Sequence, residues 1–268
     1  MKVITINVCG IRSSQKKGIF DWLSRSKADH ICMQETRALE EQIDNDDFIL
    51  KGYTRYMNIA VKKGYSGVAI YSKHKPSEII STFSKSIFEK EGRFISLEFG
   101  KYIIASIYFP SGSSGEERQK MKYEFMDLFE KYVKKEMKKR KMLILCGDYN
   151  IAHTKDDIKN WRSNQKNSGF LPEERAWMTK LIDQIGLVDA FRVKCKQNDI
   201  YTWWSNRGNA YNNNVGWRID YQMVTSNLLD KINKVYVYKG KKFSDHAPLV
   251  IDYDCLLYTS PSPRDWTI

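Results

Sequence analysis

The sequence predicts an α/β fold of the α+β kind: two mostly antiparallel sheets packed face to face, with helices outside. Three observations predict it. Short β-like runs separated by turns recur along nearly the whole chain. Helical periodicity interrupts them in at least three places but leaves few βαβ units. No Pro/Ser-rich linker and no short repeat divides residues 1–254, so one domain over that span is the simplest account.

In chain order, residues 3–8 form an apolar run that stops at Cys9 and Gly10, and residues 30–33 form a second that stops at Gln34 and Glu35. Between them, Ile19, Trp22 and Leu23 share one face of a helix expected over 16–26. Residues 67–71 are a further strand. Residues 94–99 and 102–109, joined at Gly100 and Lys101, read as a hairpin. A helix over 116–139 carries Met121, Phe125, Leu128, Phe129 and Tyr132 in one stripe. Residues 142–146 are a strand of the fully buried type. Pro172, Glu173 and Glu174 open a third helix, and Gly186 closes it. Residues 201–205, 217–225, 235–238 and 248–253 complete the strands. After Asp254 the pattern stops. Residues 255–268, with two Ser-Pro steps, are expected to be a disordered tail or a segment foreign to the fold.

Composition narrows the function classes. Of 268 residues, 42% are apolar and 13% aromatic, which excludes a disordered chain. No run reaches about 18 apolar residues, so no membrane span is expected. The N-terminal residues enter a strand directly, without a signal-peptide core. Five cysteines, widely spaced and without a C-x-x-C pair, argue against a zinc knuckle and for a reducing cytoplasm. The net charge of +12 fits a polyanionic partner or a solvated basic surface, and charge alone does not separate the two.

The residues of chemical interest stand at strand ends: Asn7; Gln34 and Glu35; Asp148 and Asn150 after Gly147; Asp220; and Ser244, Asp245 and His246 before the last strand. One acid at such a place is accounted for by a turn or a cap. Five such places, at the ends of strands that a sandwich brings together, describe one polar cleft, because a buried carboxylate or amide must be paired or solvated.

These motifs in this order carry a resemblance. Asn7-x-x-Gly10-x-Arg12, Gln34-Glu35-Thr36, Tyr65-Ser66-Gly67-Val68-Ala69, Tyr108-Phe109-Pro110-Ser111-Gly112, Gly147-Asp148-x-Asn150, Gly216-Trp217-Arg218-Ile219-Asp220-Tyr221 and Ser244-Asp245-His246-Ala247-Pro248 resemble the exodeoxyribonuclease III family of abasic-site endonucleases, within the endonuclease/exonuclease/phosphatase superfamily. The likeness spans residues 1–254, and the segment from Asn164 to Phe170 narrows it to the DNA-repair branch. It implies a four-layer α/β sandwich of the deoxyribonuclease I type. It also implies Mg²⁺-dependent hydrolysis, with Mn²⁺ as a substitute, of duplex DNA 5′ to an abasic site, or removal of 3′ nucleotides or blocking groups.

The resemblance also implies roles. Glu35 is the main metal ligand, with Asn7 beside it and Asp245 second or through water. Asp148, helped by Asn150, orients or activates the attacking water. His246, paired with Asp220, binds a phosphate oxygen as the cation, and Tyr108 donates to the phosphate or the leaving oxygen. Arg12, Lys16, Lys17, Tyr65, Asn164, Lys166 and Asn167 contact DNA, and Trp203, Trp217 and Ile219 line a pocket for a baseless sugar. Cys9 departs from the family, which has Asn or Asp there; a thiol is a softer ligand than Mg²⁺ prefers. The Lys-rich stretch 134–141 reads as a solvated helix end. The expected partner is damaged duplex DNA, bound by a monomer in the cytoplasm at a bacterial-type nucleoid. The competing readings are a phosphatase acting on a non-DNA substrate and a non-catalytic nucleic-acid-binding module; the latter predicts loss of the acids that are all present.

Overall fold

Runs such as Val3 to Ile6 and Leu143 to Cys146 place apolar groups on both sides of the chain rather than on alternate sides. Strands of this kind need cover on both faces. The computed structural model, which describes residues 1–84, 87–139 and 141–254, supplies it in four layers.

The first sheet contains β1 (Lys2–Asn7), β2 (His30–Gln34), β3 (Thr54–Asn58) and β4 (Val68–Ser72), together with two strands from the end of the chain. The second contains β5 (Glu78–Ile80), β6 (Phe94–Phe99), β7 (Tyr102–Tyr108), β8 (Met142–Asp148) and β9 (Leu187–Asp189). β10 (Trp203–Trp204) and β11 (Gly216–Trp217) make a separate ribbon; β12 (Asp220–Thr225) joins the second sheet, and β13 (Ile232–Val237) and β14 (Leu249–Tyr253) join the first. The sheet orders are β13-β14-β1-β2-β4-β3 and β5-β6-β7-β8-β12-β9. One pair in each sheet, β1 with β2 and β7 with β8, is parallel; the other pairs are antiparallel.

Three apolar clusters fill the spaces between layers. Val3, Ile144, Cys146 and Ile251 lie between the sheets. Ile4, Ile6, Ile19 and Leu23 join the first sheet to α1 (Ile11–Lys16) and α2 (Ile19–Ser26). Leu143, Leu145, Phe125, Phe129 and Met178 join the second sheet to α3 (Glu116–Lys138) and, beyond the short α4 (Trp161–Asn164), to α5 (Pro172–Asp183). A short α6 (Ala190–Lys194) packs Phe191 into the inter-sheet cluster.

Several boundaries differ from expectation for physical reasons. The helix expected over 16–26 begins only at Ile19, and a separate helix, α1, ends at Lys16, because Gly18 takes φ 80°, which a helix cannot continue through. The strand over 217–225 breaks at Arg218 and Ile219, whose backbones pair instead with Asp157 and Tyr149. The strand over 201–205 contracts to two residues. β3, β5 and β9 had no clear signal, being polar or only three residues long. The expectation for 255–268 falls outside the described residues.

Candidate active site

Strand register assembles the site. On the second sheet, Tyr108 pairs with Asp148, and Asp148 with Asp220, so three of the candidate residues occupy one row across β7, β8 and β12. On the first sheet, Asn7 pairs with Gln34, and Glu35 follows at the end of β2. The turn at Gly67 closes over this corner so tightly that a Cβ there would come within 2.3 Å of Thr36 Oγ1. Because the sheets stack, the two rows meet at one end of the sandwich.

There the side chains form two hydrogen-bonded groups, one around Asn7 and one around His246, that an ion-pair contact joins. Asn7 is fully buried, and its Nδ2 donates to Glu35 Oε1 at 2.7 Å and to Asp148 Oδ2 at 2.9 Å. Asp148 accepts the Asn150 amide N–H at 2.8 Å. His246 Nε2 lies 3.8 Å from Asp148 Oδ2, while its Nδ1 lies 2.8 Å from Asp220 Oδ2. The backbone of Asp220 is held in turn: its N–H and that of Ile219 both donate to Thr202 Oγ1. Ser244 Oγ donates to Asn7 O and accepts the His246 N–H, which ties β1 to the loop before β14. Trp203 Nε1 donates to Asp245 Oδ2 at 3.2 Å, while Asp245 Oδ1 is buried without a hydrogen-bond partner among the described residues.

The electrostatics follow from this crowding. Burial, then the Asp220 and Glu35 carboxylates, push Asp148 up to about 7 against the opposing pull of His246 and Asn7. Burial alone would lower His246, but Asp220 first, then Asp148 and Asp245, outweigh it and raise the imidazole to about 10. Burial and Glu35 hold the Tyr108 phenol well above its ordinary value, so it stays a donor. Burial, with Asp245 and Glu35, raises the Cys9 thiol to about 11, so it stays neutral.

Of the residues singled out in the sequence, Glu35, Tyr108, Asp148, Asn150, Lys166, Asn167, Trp203, Trp217, Ile219, Asp245 and His246 line one cleft of about 850 Å³. Asn7 and Asp220 sit buried behind it, hydrogen-bonded to its walls. Five others stand apart from this cleft. Arg12 and Lys16 line a neighbouring depression with Thr36 and Arg37, and Lys17 is exposed beyond it. Tyr65 lies in another depression, its hydroxyl held by Arg93 and Arg118 at 2.6 and 2.7 Å. Asn164 is not among the cleft-lining residues; its side chain bridges Asn160 O and Asn167 Nδ2 and thereby positions Asn167. Sequence reasoning missed Arg37 and Arg207, both in the cleft wall. Arg37 had a signal, a cation two residues after Glu35; Arg207, in an Asn-rich loop without periodicity, had none.

The chain matches the endonuclease/exonuclease/phosphatase family over residues 4–246. It is 38% identical over 251 residues to an exodeoxyribonuclease of Bacillus subtilis, covering 93% of this chain and 98% of that one. It is 35% identical over 254 residues to the DNA repair nuclease APEX1 of Danio rerio, covering 94% and 81%. Among solved structures, an AP endonuclease from Archaeoglobus fulgidus superposes with a TM-score of 0.86 at 28% identity, over 95% of this chain and 99% of that one.

Proposed function

This chain belongs to the endonuclease/exonuclease/phosphatase family, and from that premise we propose a DNA-repair phosphodiesterase that cleaves duplex DNA 5′ to abasic sites and clears 3′ nucleotides or blocking groups by Mg²⁺-dependent hydrolysis. Relatives named exodeoxyribonuclease and DNA repair nuclease, matched over nearly their whole length or most of it, support a nuclease of the hydrolase class. The observation that carries the mechanism is the row Glu35–Asn7–Asp148–His246–Asp220 along the cleft, hydrogen-bonded except for the ion-pair contact between Asp148 and His246. A non-catalytic binding module has no use for three acids so arranged, and the nuclease relatives do not favour a phosphatase of other substrates.

The residues present fit a hard divalent cation. Glu35, Asn7 and Asp245 offer oxygens, Asp245 Oδ1 is buried without a hydrogen-bond donor of ordinary geometry among the described residues, and the neighbouring Cys9 thiol stays protonated. Asp148, Asp220 and His246 also bring their ligand atoms within 4.8 Å of one another. An imidazole that holds both protons at neutral pH has no lone pair for a metal, so that group is better read as a proton-holding and charge-stabilising unit. When bound at Glu35, Mg²⁺ or Mn²⁺ supplies Lewis-acid stabilisation of charge on the phosphoryl oxygens.

The protein's own groups do the rest. Asp148, with a pKa near neutrality, is suited to take a proton from water, and Asn150 holds its carboxylate in place. The His246 imidazolium, fixed by Asp220, presents a charged donor to a phosphate oxygen. The Tyr108 phenol adds a second donor. Trp203, Trp217 and Ile219 form the apolar part of the wall, the surface that this reading assigns to a sugar without a base. Lys166 and Asn167 meet phosphates at its edge, and Arg12, Lys16 and Lys17 extend the basic surface along the duplex. On this reading the protein acts as a monomer, in the cytoplasm at the nucleoid. A labelled abasic duplex and a 3′-phosphate duplex, each incubated with Mg²⁺ and with chelator, test the proposal. Cleavage or phosphate release in Mg²⁺ alone supports it, and inertness toward both substrates refutes it.

A further inference from the structure

The segment after β2 folds a cation back onto the carboxylate read above as the main metal ligand. Glu35 and Arg37 both adopt positive φ, 52° and 48°, a conformation uncommon outside glycine. Backbone hydrogen bonds pin the turn on both sides, from Gly10 and Ile11 to the carbonyls of Glu35 and Thr36, and from Thr36 and Arg37 to those of Gly67 and Ser66. The Arg37 guanidinium thereby reaches Glu35 Oε2, while Glu35 Oε1 accepts from Asn7. Both oxygens of the carboxylate are therefore engaged by protein donors. The two partners differ in freedom: the Glu35 side chain is 10% exposed and the Arg37 side chain 42%. Arg37 also borders both spaces, the cleft and the basic depression shared with Arg12 and Lys16.

We propose that Arg37 is an internal counter-ion that competes with the divalent cation for Glu35 and passes to a DNA backbone phosphate when the cation binds. Guanidinium and dication repel one another and cannot share one carboxylate oxygen without cost. The depression beside Arg12 and Lys16 gives the displaced side chain a place where a phosphate accepts it bidentately. Metal and DNA binding are then coupled, each raising the affinity for the other by the same factor. This inference rests on Glu35 being a metal ligand.

The test is Mn²⁺ binding to the purified full chain, read by electron paramagnetic resonance without DNA, for the parent, Arg37→Met and Arg37→Lys. Removing a partly exposed ion pair should tighten Mn²⁺ binding to Arg37→Met about fivefold, and the lysine variant should return toward the parent. A damaged fold weakens binding and cannot imitate this gain. With a saturating uncleavable duplex, the parent's affinity for Mn²⁺ should rise by a larger factor than that of Arg37→Met. Equal or weaker Mn²⁺ binding by Arg37→Met overturns the role of Arg37 while leaving the metal reading standing. Absence of Mn²⁺ binding by parent and variant alike overturns the metal reading itself, and this inference with it.

Discussion

Replacing His30 by glutamine should flatten the acid side of this protein's stability curve. His30 opens β2 and is fully buried, with Nε2 3.0 Å from the Tyr102 hydroxyl, Nδ1 without a hydrogen-bond partner among the described residues, and the rings of Phe99 and Tyr102 against it. Burial first, then His74, the N-terminal amine and Lys73, disfavour its cation and lower its pKa from 6.5 to about 3. The unfolded chain therefore binds a proton that the folded chain refuses, and stability falls as pH drops from about 6.5 to about 3. At about 1.36 kcal/mol per pH unit the full effect is about 5 kcal/mol, of which about 2 kcal/mol has been lost by pH 5. Urea unfolding of the parent and His30→Gln at pH 7 and pH 5 reads this directly. The variant starts lower because it loses packing, so the quantity of interest is the drop between the two pH values. Other acid-sensitive groups, such as Asp157 beside Arg192 and Arg218, are common to both proteins and cancel. The parent should lose about 2 kcal/mol more than the variant. Equal losses would show that His30 protonates in the folded state near its ordinary pKa, and the burial argument would fail.

Other outcomes follow from the same structure. Glu174→Gln leaves the fully buried Lys122 ammonium, now 2.5 Å from Glu174 Oε1, without its counter-charge. Melting should fall by roughly 6–15 °C, from a cost of about 3–5 kcal/mol, and Lys122→Met added to that variant should recover part of the loss. A shift near zero contradicts the pairing. Asp220→Asn removes the carboxylate on His246 Nδ1 and with it the largest influence raising that pKa. The histidine then loses its proton at lower pH, so the alkaline limb of kcat/KM should move down by about one unit or more, while duplex affinity at low salt holds. An unmoved limb argues against the imidazolium as the phosphate donor.

How much of this was legible in the sequence depends on the range of the physics involved. Asn7, Glu35, Asp148, Asp220, Asp245 and His246 could be picked out because a polar group that ends a buried apolar run needs a reason, and that is a local fact. Their arrangement could not be read that way. The row Tyr108–Asp148–Asp220 depends on β12 pairing antiparallel with β8 while β7 pairs parallel with it, choices made by contacts far apart in sequence. Tyr65 and Asn164 sat in recognisable motifs, yet the structure gives Tyr65 to Arg93 and Arg118, and Asn164 to Asn167. The helix break at Gly18 was written in one residue whose backbone sign a periodicity count ignores. In the Lys-rich end of α3, Lys134 and Lys139 pair with Glu130 and Glu136, in keeping with a solvated helix end.

The central claim is that Glu35 carries the divalent cation on which hydrolysis depends. The most direct test is the initial rate of abasic-duplex cleavage by the parent and Glu35→Ala, measured across a Mg²⁺ titration from limiting to saturating. The account predicts that the parent's rate rises with Mg²⁺ to a plateau, while Glu35→Ala loses most of the activity at limiting Mg²⁺ and needs much higher concentrations for whatever remains. A Glu35→Ala titration that overlies the parent's would contradict it.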